Sequence, residues 1–424
     1  MTSLFIGIDL GTSGCRAVAI DAQQKLQAQA EVKIPQPQRY GHQVEQDPLL
    51  WWQATQTVLA QLALNPNHVK AIAVDATSAT MVLTDSQARP LYPGVLYNDS
   101  RAIEQAQQIQ TVAPQHSAAC APTATLAKLL WAHQQQLTQQ AHYLMHQADW
   151  IMAQLGAPYG VSDVNNCLKL GYDVVEHCWP HWLNQLDLPL ELLPQKVVTP
   201  GTRIGTLKAE LAHQFGFPST TQLVAGTTDS TAAFIATGAR NVGEAVTALG
   251  STLVLKVIAD HAIVDARYGV YSQPLGSQWL VGGASNSGGQ VLLNYFTSAQ
   301  LEAMTPLLTP AQPTHLNYYP LLKPGERFPF SDPQLAPRLT PRPQNEVVFF
   351  QGLLEGIAAI ERQGYQLLHQ LGAPYPSRIY TTGGGAHNPA WRQVRAAILG
   401  VAVRADQPKP AAYGSALLAW QACN

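Results

Sequence analysis

The chain has 424 residues and a mass of 45.9 kDa, enough for two large domains or about three ordinary ones. Apolar residues make up 46% and charged residues only 12%, with a formal net charge of −2. That balance excludes a disordered chain and leaves no basic stripe to neutralise the phosphates of a nucleic acid. No apolar run approaches the ~18 residues of a transmembrane helix, so no membrane partner is expected.

The N-terminus enters a strand pattern directly, without a basic segment or signal-like apolar stretch. The five cysteines are far apart and form no C-x-x-C, which argues against a disulfide framework or a zinc site. The 13 histidines form no H-E-x-x-H or comparable pair. These features predict a reducing, cytoplasmic setting. About one residue in ten is glutamine, with clusters at Gln134–Gln136 and Gln139–Gln140. Their interruption by apolar residues predicts solvated helix faces.

Taken in chain order, Leu4–Ile8 is a short apolar run, Gly11–Gly14 a glycine turn, and Ala17–Ile20 a returning run ending at Asp21. This pattern predicts a strand, a tight turn and a second strand. Asp47–Pro48 is an N-cap followed by proline at the first helical position, opening a helix with Leu50, Ala54, Val58 and Leu62 on one face. Ile72–Asp75 reads as a strand, and a helix begins after Gly226-Thr227-Thr228-Asp229, with Asp229 placed to cap it. Ala245–Leu249, Gly250–Thr252 and Leu253–Ile258 repeat the strand, turn and strand of the N-terminus, which hints at a duplicated architecture. Asn286 or Ser287 is expected to cap a helix reaching Phe296. A long helix is expected over 346–371, strand Ile379–Thr382 follows, and Asn388–Pro389 starts a further helix closed by Gly400. A last helix is expected over 411–420. Strands and helices alternate, so the class is α/β.

Four turns join glycine to hydroxyl residues at strand ends, where ligands of α/β sheets bind. In Asp9-Leu10-Gly11-Thr12-Ser13-Gly14, backbone N–H groups form a concavity for anions, hydroxyls add donors, and a carboxylate can hold Mg²⁺. G-x-x-x-x-G-K-[ST] is absent, and a strand rather than a helix follows, so neither the P-loop nor the dinucleotide fingerprint applies. Asp229, after a glycine-bearing turn, could accept the proton of a hydroxyl attacking phosphorus, or could merely cap its helix. Gly383-Gly384-Gly385-Ala386-His387-Asn388 allows close approach of a flat ring or a phosphate, and Gly282–Gly289 is a similar strand-to-helix turn.

Together these segments resemble the FGGY carbohydrate kinases of the actin-like ATPase clan. Glu45-Gln46-Asp47-Pro48…Trp51-Trp52, Asn98-Asp99-x-Arg101, Lys128-Leu129-x-Trp131, Asn286-x-Gly288-Gly289 and Pro324-Gly325-Glu326-Arg327 are also family-like, in the family's order along the whole chain. The resemblance implies two ribonuclease-H-like domains around a catalytic cleft: residues 1–235 plus 411–424 for the sugar, and 236–410 for ATP. It implies that Asp229 is the catalytic base, that Asp9 lies near the Mg²⁺ through water, and that Asp229 also faces the metal. Gly11, Thr12 and Ser13 match the first phosphate turn, and Gly250, Ser251 and Thr252 the second. Gly384, Gly385 and Asn388 match the adenosine turn, and Thr77 and Ser78 the sugar contact. ATP and Mg²⁺ are the implied cofactors of a monomer or homodimer.

Departures narrow the subgroup. The chain is short, and Val74-Asp75-Ala76-Thr77-Ser78 lacks the glutamine patterns typical of xylulose and glycerol kinases. The short form resembles a cyanobacterial and plant group described as ribulose- or xylulose-kinase-like. The expected acceptor is therefore a ketopentose, D-ribulose before D-xylulose. A sugar-independent actin-like ATPase or a sensing module is the expectation from another class.

Overall fold

The computed structural model describes residues 3–115, 117–405 and 409–424; the stretch 407–411, which reads in the sequence as a loop-like connection, lies partly outside the described residues. The chain separates into two compact units, Met1–Gly238 with Lys409–Asn424, and Ala239–Pro408. No described helix is long and apolar enough to cross a membrane.

The first unit is built on a six-stranded sheet whose central strand is Leu4–Leu10. This strand pairs antiparallel with Gly14–Asp21, which pairs antiparallel with Leu26–Lys33. On its other edge it pairs parallel with Val69–Ala76, followed by the parallel Gln222–Val224 and the antiparallel Arg203–Thr206. Strand Leu4–Leu10 is apolar on both faces because both are covered. One face packs on helix Pro48–Ala60, with Trp51 and Val58 fully buried. The other packs on the C-terminal helix Ala411–Gln421, where Ala412, Ala416 and Leu417 meet Phe5, Val18 and Ala73. This second contact is close enough to require glycine: a Cβ on Gly7 would lie 1.9 Å from the Ala412 carbonyl oxygen. A smaller five-stranded sheet, with helices Ile103–Val112 and Thr125–Gln134, fills the middle of the unit.

The second unit repeats this plan. Glu244–Leu249 is central, antiparallel to Leu253–Ala259, which pairs antiparallel with Gln278–Ser285. Its other edge runs parallel to Arg378–Thr382 and then Ala402–Arg404. A sixth strand, Tyr271–Leu275, pairs antiparallel with Gln278–Ser285 at the edge. With the edge strands Arg203–Thr206 and Tyr271–Leu275 set aside, the order in both sheets is third, second, first, fourth, fifth. The long helix Glu346–Gln370 packs its Leu353, Ile357 and Leu368 into the core. A buried ion pair sits beneath the sheet. The Arg395 guanidinium grips both Glu361 carboxylate oxygens at 2.7 Å and donates to Thr381 Oγ1 at 2.7 Å.

Several boundaries differ from the sequence reading. Only Gln134 of the first glutamine cluster is helical, and the others sit exposed in turns, Gln136 at φ 61°. Their polarity serves a surface loop rather than a helix face. The helix expected after Asn286 starts at Gly289, capped by Gly288, because Ser285 and Asn286 turn instead to Glu326.

Candidate active site

Asp9 stands near the C-terminal end of the central strand of the first unit, directly across from Asp75 on the parallel neighbour. The chain returns to this place through Gln222–Val224. A Cβ on Gly226 would lie 1.8 Å from the Val74 carbonyl oxygen, so only glycine lets 225–228 run beside that strand. Thr228 then bridges Ala76 and caps helix Asp229–Ala236. Asp229 is the first helical residue and not the cap, which corrects the simplest structural role open to it. Its Oδ1 accepts from the Ser230 N–H at 2.6 Å, and the residue is half-buried. Asn165 Nδ2 donates to Thr227 Oγ1 at 2.9 Å, bracing the turn from a third segment.

These carboxylates sense each other. Burial pushes the Asp9 carboxyl up to about 6, and the negative charge of Asp229 adds to the shift, while Asp75 and Arg16 oppose it. Burial raises Asp75 well above the carboxylate range, with the charge of Asp9 next, although Ser415 Oγ donates to it at 2.6 Å. Lys169 brings positive charge near Asp229; burial lowers its ammonium and the Asp229 charge raises it. A concentration of negative charge at strand ends is suited to a cation that shares its shell with phosphate and water. No group of three or more His, Cys, Asp or Glu among the described residues forms a cage for a metal. Mg²⁺ binds in just this way, through one or two carboxylates.

The first turn closes with the Gly11 N–H donating to the Gly14 carbonyl at 2.9 Å. Gly11 and Thr12 are half-buried and Ser13 is exposed, while Gln46 Nε2 holds the Thr12 carbonyl at 3.2 Å. Thr77 departs from the reading that gave it a sugar contact. It is 5% exposed, and its hydroxyl donates to Gln147 Oε1 and lies 2.6 Å from Thr80 Oγ1, so it serves the protein. Ser78 is the more accessible member of that segment.

In the second unit, Gly250, Ser251, Gly384, Gly385 and Asn388 line one cavity of about 710 Å³, and Thr252 is not part of that lining. That volume suits a nucleoside-sized ligand. Trp391 and Leu292 give it an apolar wall. A Cβ on Gly384 would meet nothing within 4 Å, so this residue faces open space. Asn388 Oδ1 caps the following helix at Trp391 N, and Nδ2 donates to Thr305 Oγ1 at 3.2 Å. Asp75, Lys169 and Ser415 escaped the sequence reading. A carboxylate inside the apolar run Ala71–Ala76 was the available signal for Asp75. No local pattern announces Lys169 or Ser415.

Comparison with known proteins follows the same two-part division. Residues 4–236 match the model of the N-terminal domain of the FGGY family of carbohydrate kinases, and residues 245–423 match its C-terminal domain. The chain is similar to a xylulose kinase of Escherichia coli (strain K12), 27% identical over 99% of this chain and 90% of the relative. It is also similar to an L-fuculokinase of the same organism, 24% identical over 97% and 91%. Among solved structures, a xyloylose kinase from Brucella ovis superposes with a TM-score of 0.86 at 23% identity, covering 98% of this chain and 89% of that one. A gluconate kinase from Lactobacillus acidophilus gives 0.85 at 21% identity, over 100% and 90%. At these identities the structural likeness speaks for the fold.

Proposed function

The chain belongs to the FGGY family of carbohydrate kinases and is an ATP-dependent sugar kinase, and from that premise we propose that its acceptor is a ketopentose, D-xylulose, phosphorylated at a terminal hydroxyl. The observation carrying this is the run of relatives named xylulose kinase that match along nearly the whole chain. The D-ribulose preference drawn from the sequence gives way to it. D-ribulose stays as the second reading on one observation, the buried Asp75 in place of the segment typical of xylulose kinases.

Asp229 is the general base. Its carboxylate accepts the proton as the sugar oxygen forms a bond to the γ-phosphorus, and the bond to the β-phosphate oxygen breaks with release of ADP. Ser78 and Asp229 hold the sugar on the first unit. The Gly11, Thr12 and Ser13 turn and the Gly250, Ser251 and Thr252 turn hold phosphates through N–H and hydroxyl donors. Adenosine occupies the cavity at Gly384, Gly385 and Asn388. Asp9, with Asp229 nearby, holds Mg²⁺ through water, and the ion when bound neutralises charge on the phosphates.

The test is an ATP-consumption assay across D-xylulose, D-ribulose, L-ribulose, glycerol and no acceptor. The expected order places D-xylulose first in kcat/KM. A D-ribulose value at least tenfold higher would transfer the assignment to that sugar. A rate without acceptor equal to the best sugar rate would overturn the reading altogether.

A further inference from the structure

Lys128 is buried completely on helix Thr125–Gln134, yet it has no acid as a bonded partner. Its ammonium donates to two main-chain carbonyls, Ala79 at 2.9 Å and Leu96 at 2.6 Å. The closest acid in charge terms, Asp99, is taken by others: Arg101 binds it in a fork at 2.7 and 3.0 Å, and the Val44 N–H donates to it at 2.6 Å. Burying an ammonium against neutral partners is costly, and burial pulls this one down to about 7. The arrangement therefore needs a reason beyond filling the core.

The reason lies at Ala79. Its φ is +66°, a left-handed conformation that a residue with a Cβ resists. Ala79 ends the short turn that carries Ser78. The rest of the turn is also pinned: Gln147 Oε1 accepts from both Thr77 N and Thr77 Oγ1, and the Gln147 N–H donates to the Thr80 carbonyl at 3.2 Å. Among the described residues, these anchors act on the residues flanking Ser78, which is itself the half-buried member of an otherwise buried turn.

We infer that Lys128 is a positioning residue for the acceptor, whose ammonium holds the Ala79 carbonyl so that the Thr77–Thr80 turn presents Ser78 to the sugar. This rests on the reading of Ser78 as a sugar contact. It also gives one purpose to three signature segments that lie far apart in sequence. Arg101 pairs with Glu45 at 2.7 Å and stacks over Trp131 at 4.7 Å, so Glu45, Asn98–Arg101 and Lys128–Trp131 form one polar brace around the turn.

The test uses the full chain, with sugar and ATP kinetics and hydrogen exchange of the 76–84 segment. Lys128→Met is expected to raise the sugar KM at least tenfold, leave the ATP KM within twofold, and speed exchange in 76–84. Adding Ala79→Gly, which adopts the left-handed conformation without a Cβ, should recover threefold or more of the sugar KM. If Lys128→Met does not fold, Lys128→Arg replaces it, with the same separation of the two KM values expected. An unchanged sugar KM, or sugar and ATP KM rising together, would overturn the positioning role. Ser78→Ala separates the two readings. If it leaves the sugar KM unchanged while Lys128→Met still speeds exchange, the sugar contact is wrong and the inference falls with it. If Ser78→Ala raises the sugar KM and Lys128→Met does not, only the Lys128 role fails.

Discussion

The two central hairpins share a strand plan and differ in charge. In the first unit, Asp9-Leu10-Gly11-Thr12-Ser13 leads into the turn, with Asp9 opposite Asp75. In the second, Ala248-Leu249-Gly250-Ser251-Thr252 does so, with Ala248 opposite Thr382. Glycine and hydroxyl are kept in both, because a phosphate-binding turn needs N–H and O–H donors wherever it occurs. The acids are confined to one copy. Burial of titratable groups beside the two central strands differs too. Next to the second hairpin lies a matched pair, Arg395 with Glu361, whereas next to the first lies Asp75, held by a serine donor, and that unit's matched pair, Arg101 with Asp99, belongs to another segment. Duplication thus supplied two cradles, and charge made one of them the place where a cation and a proton acceptor are needed.

That contrast can be broken from either side. Removing the base from the acidic unit should have the largest effect. Asp229→Asn is expected to lower sugar phosphorylation about 10²–10⁴-fold, the usual worth of general-base help, with ATP affinity by calorimetry changed less than threefold. Equal activity would remove Asp229 from the chemistry. Next comes the matched pair of the other unit. Arg395→Met leaves Glu361 buried and unpaired, and urea unfolding should report a loss of roughly 3–5 kcal/mol. A loss under ~1 kcal/mol would mean that water or a shifted side chain takes the place of the guanidinium. The smallest effect tests the contrast itself. Ala248→Asp gives the second hairpin the acid it lacks. At an effective dielectric near 20, a unit charge ~8 Å from a phosphate charge costs about 2 kcal/mol, so the ATP KM should rise roughly tenfold or more. Its rise should shrink in high salt, and an unchanged value would separate that hairpin from the phosphates.

Much of this was legible in the sequence, and the legible parts share a cause. Turns that need glycine, caps such as Asp47 and Asn388, and buried strands leave local marks because their constraints lie within a few residues. The repeat of Asp9–Ser13 at Ala248–Thr252 was visible for the same reason. What stayed hidden is held across long separations. Ser415 reaches Asp75 over 340 positions, and no pattern near either residue records it. Thr77 was matched to the sugar contact through the family resemblance, which carries no record of what else the hydroxyl touches in this chain. Gln147, 70 residues on, takes that hydroxyl inward. Asp229 reads as a cap until Thr228 is seen to hold that position.

The C-terminal helix carries a consequence for the order of synthesis. Ala411–Gln421 covers the central strands of the first sheet on one face, and Tyr413 and Trp420 bond the carbonyls of Gln24 and Ala22. A ribosome delivers these residues only after the entire second unit. The N-terminal half must therefore wait, with Phe5, Val18 and Ala73 uncovered, while the later unit can already be complete. Here the part made first is the part finished last, and a nascent chain stalled before residue 411 would be expected to seek a holding chaperone.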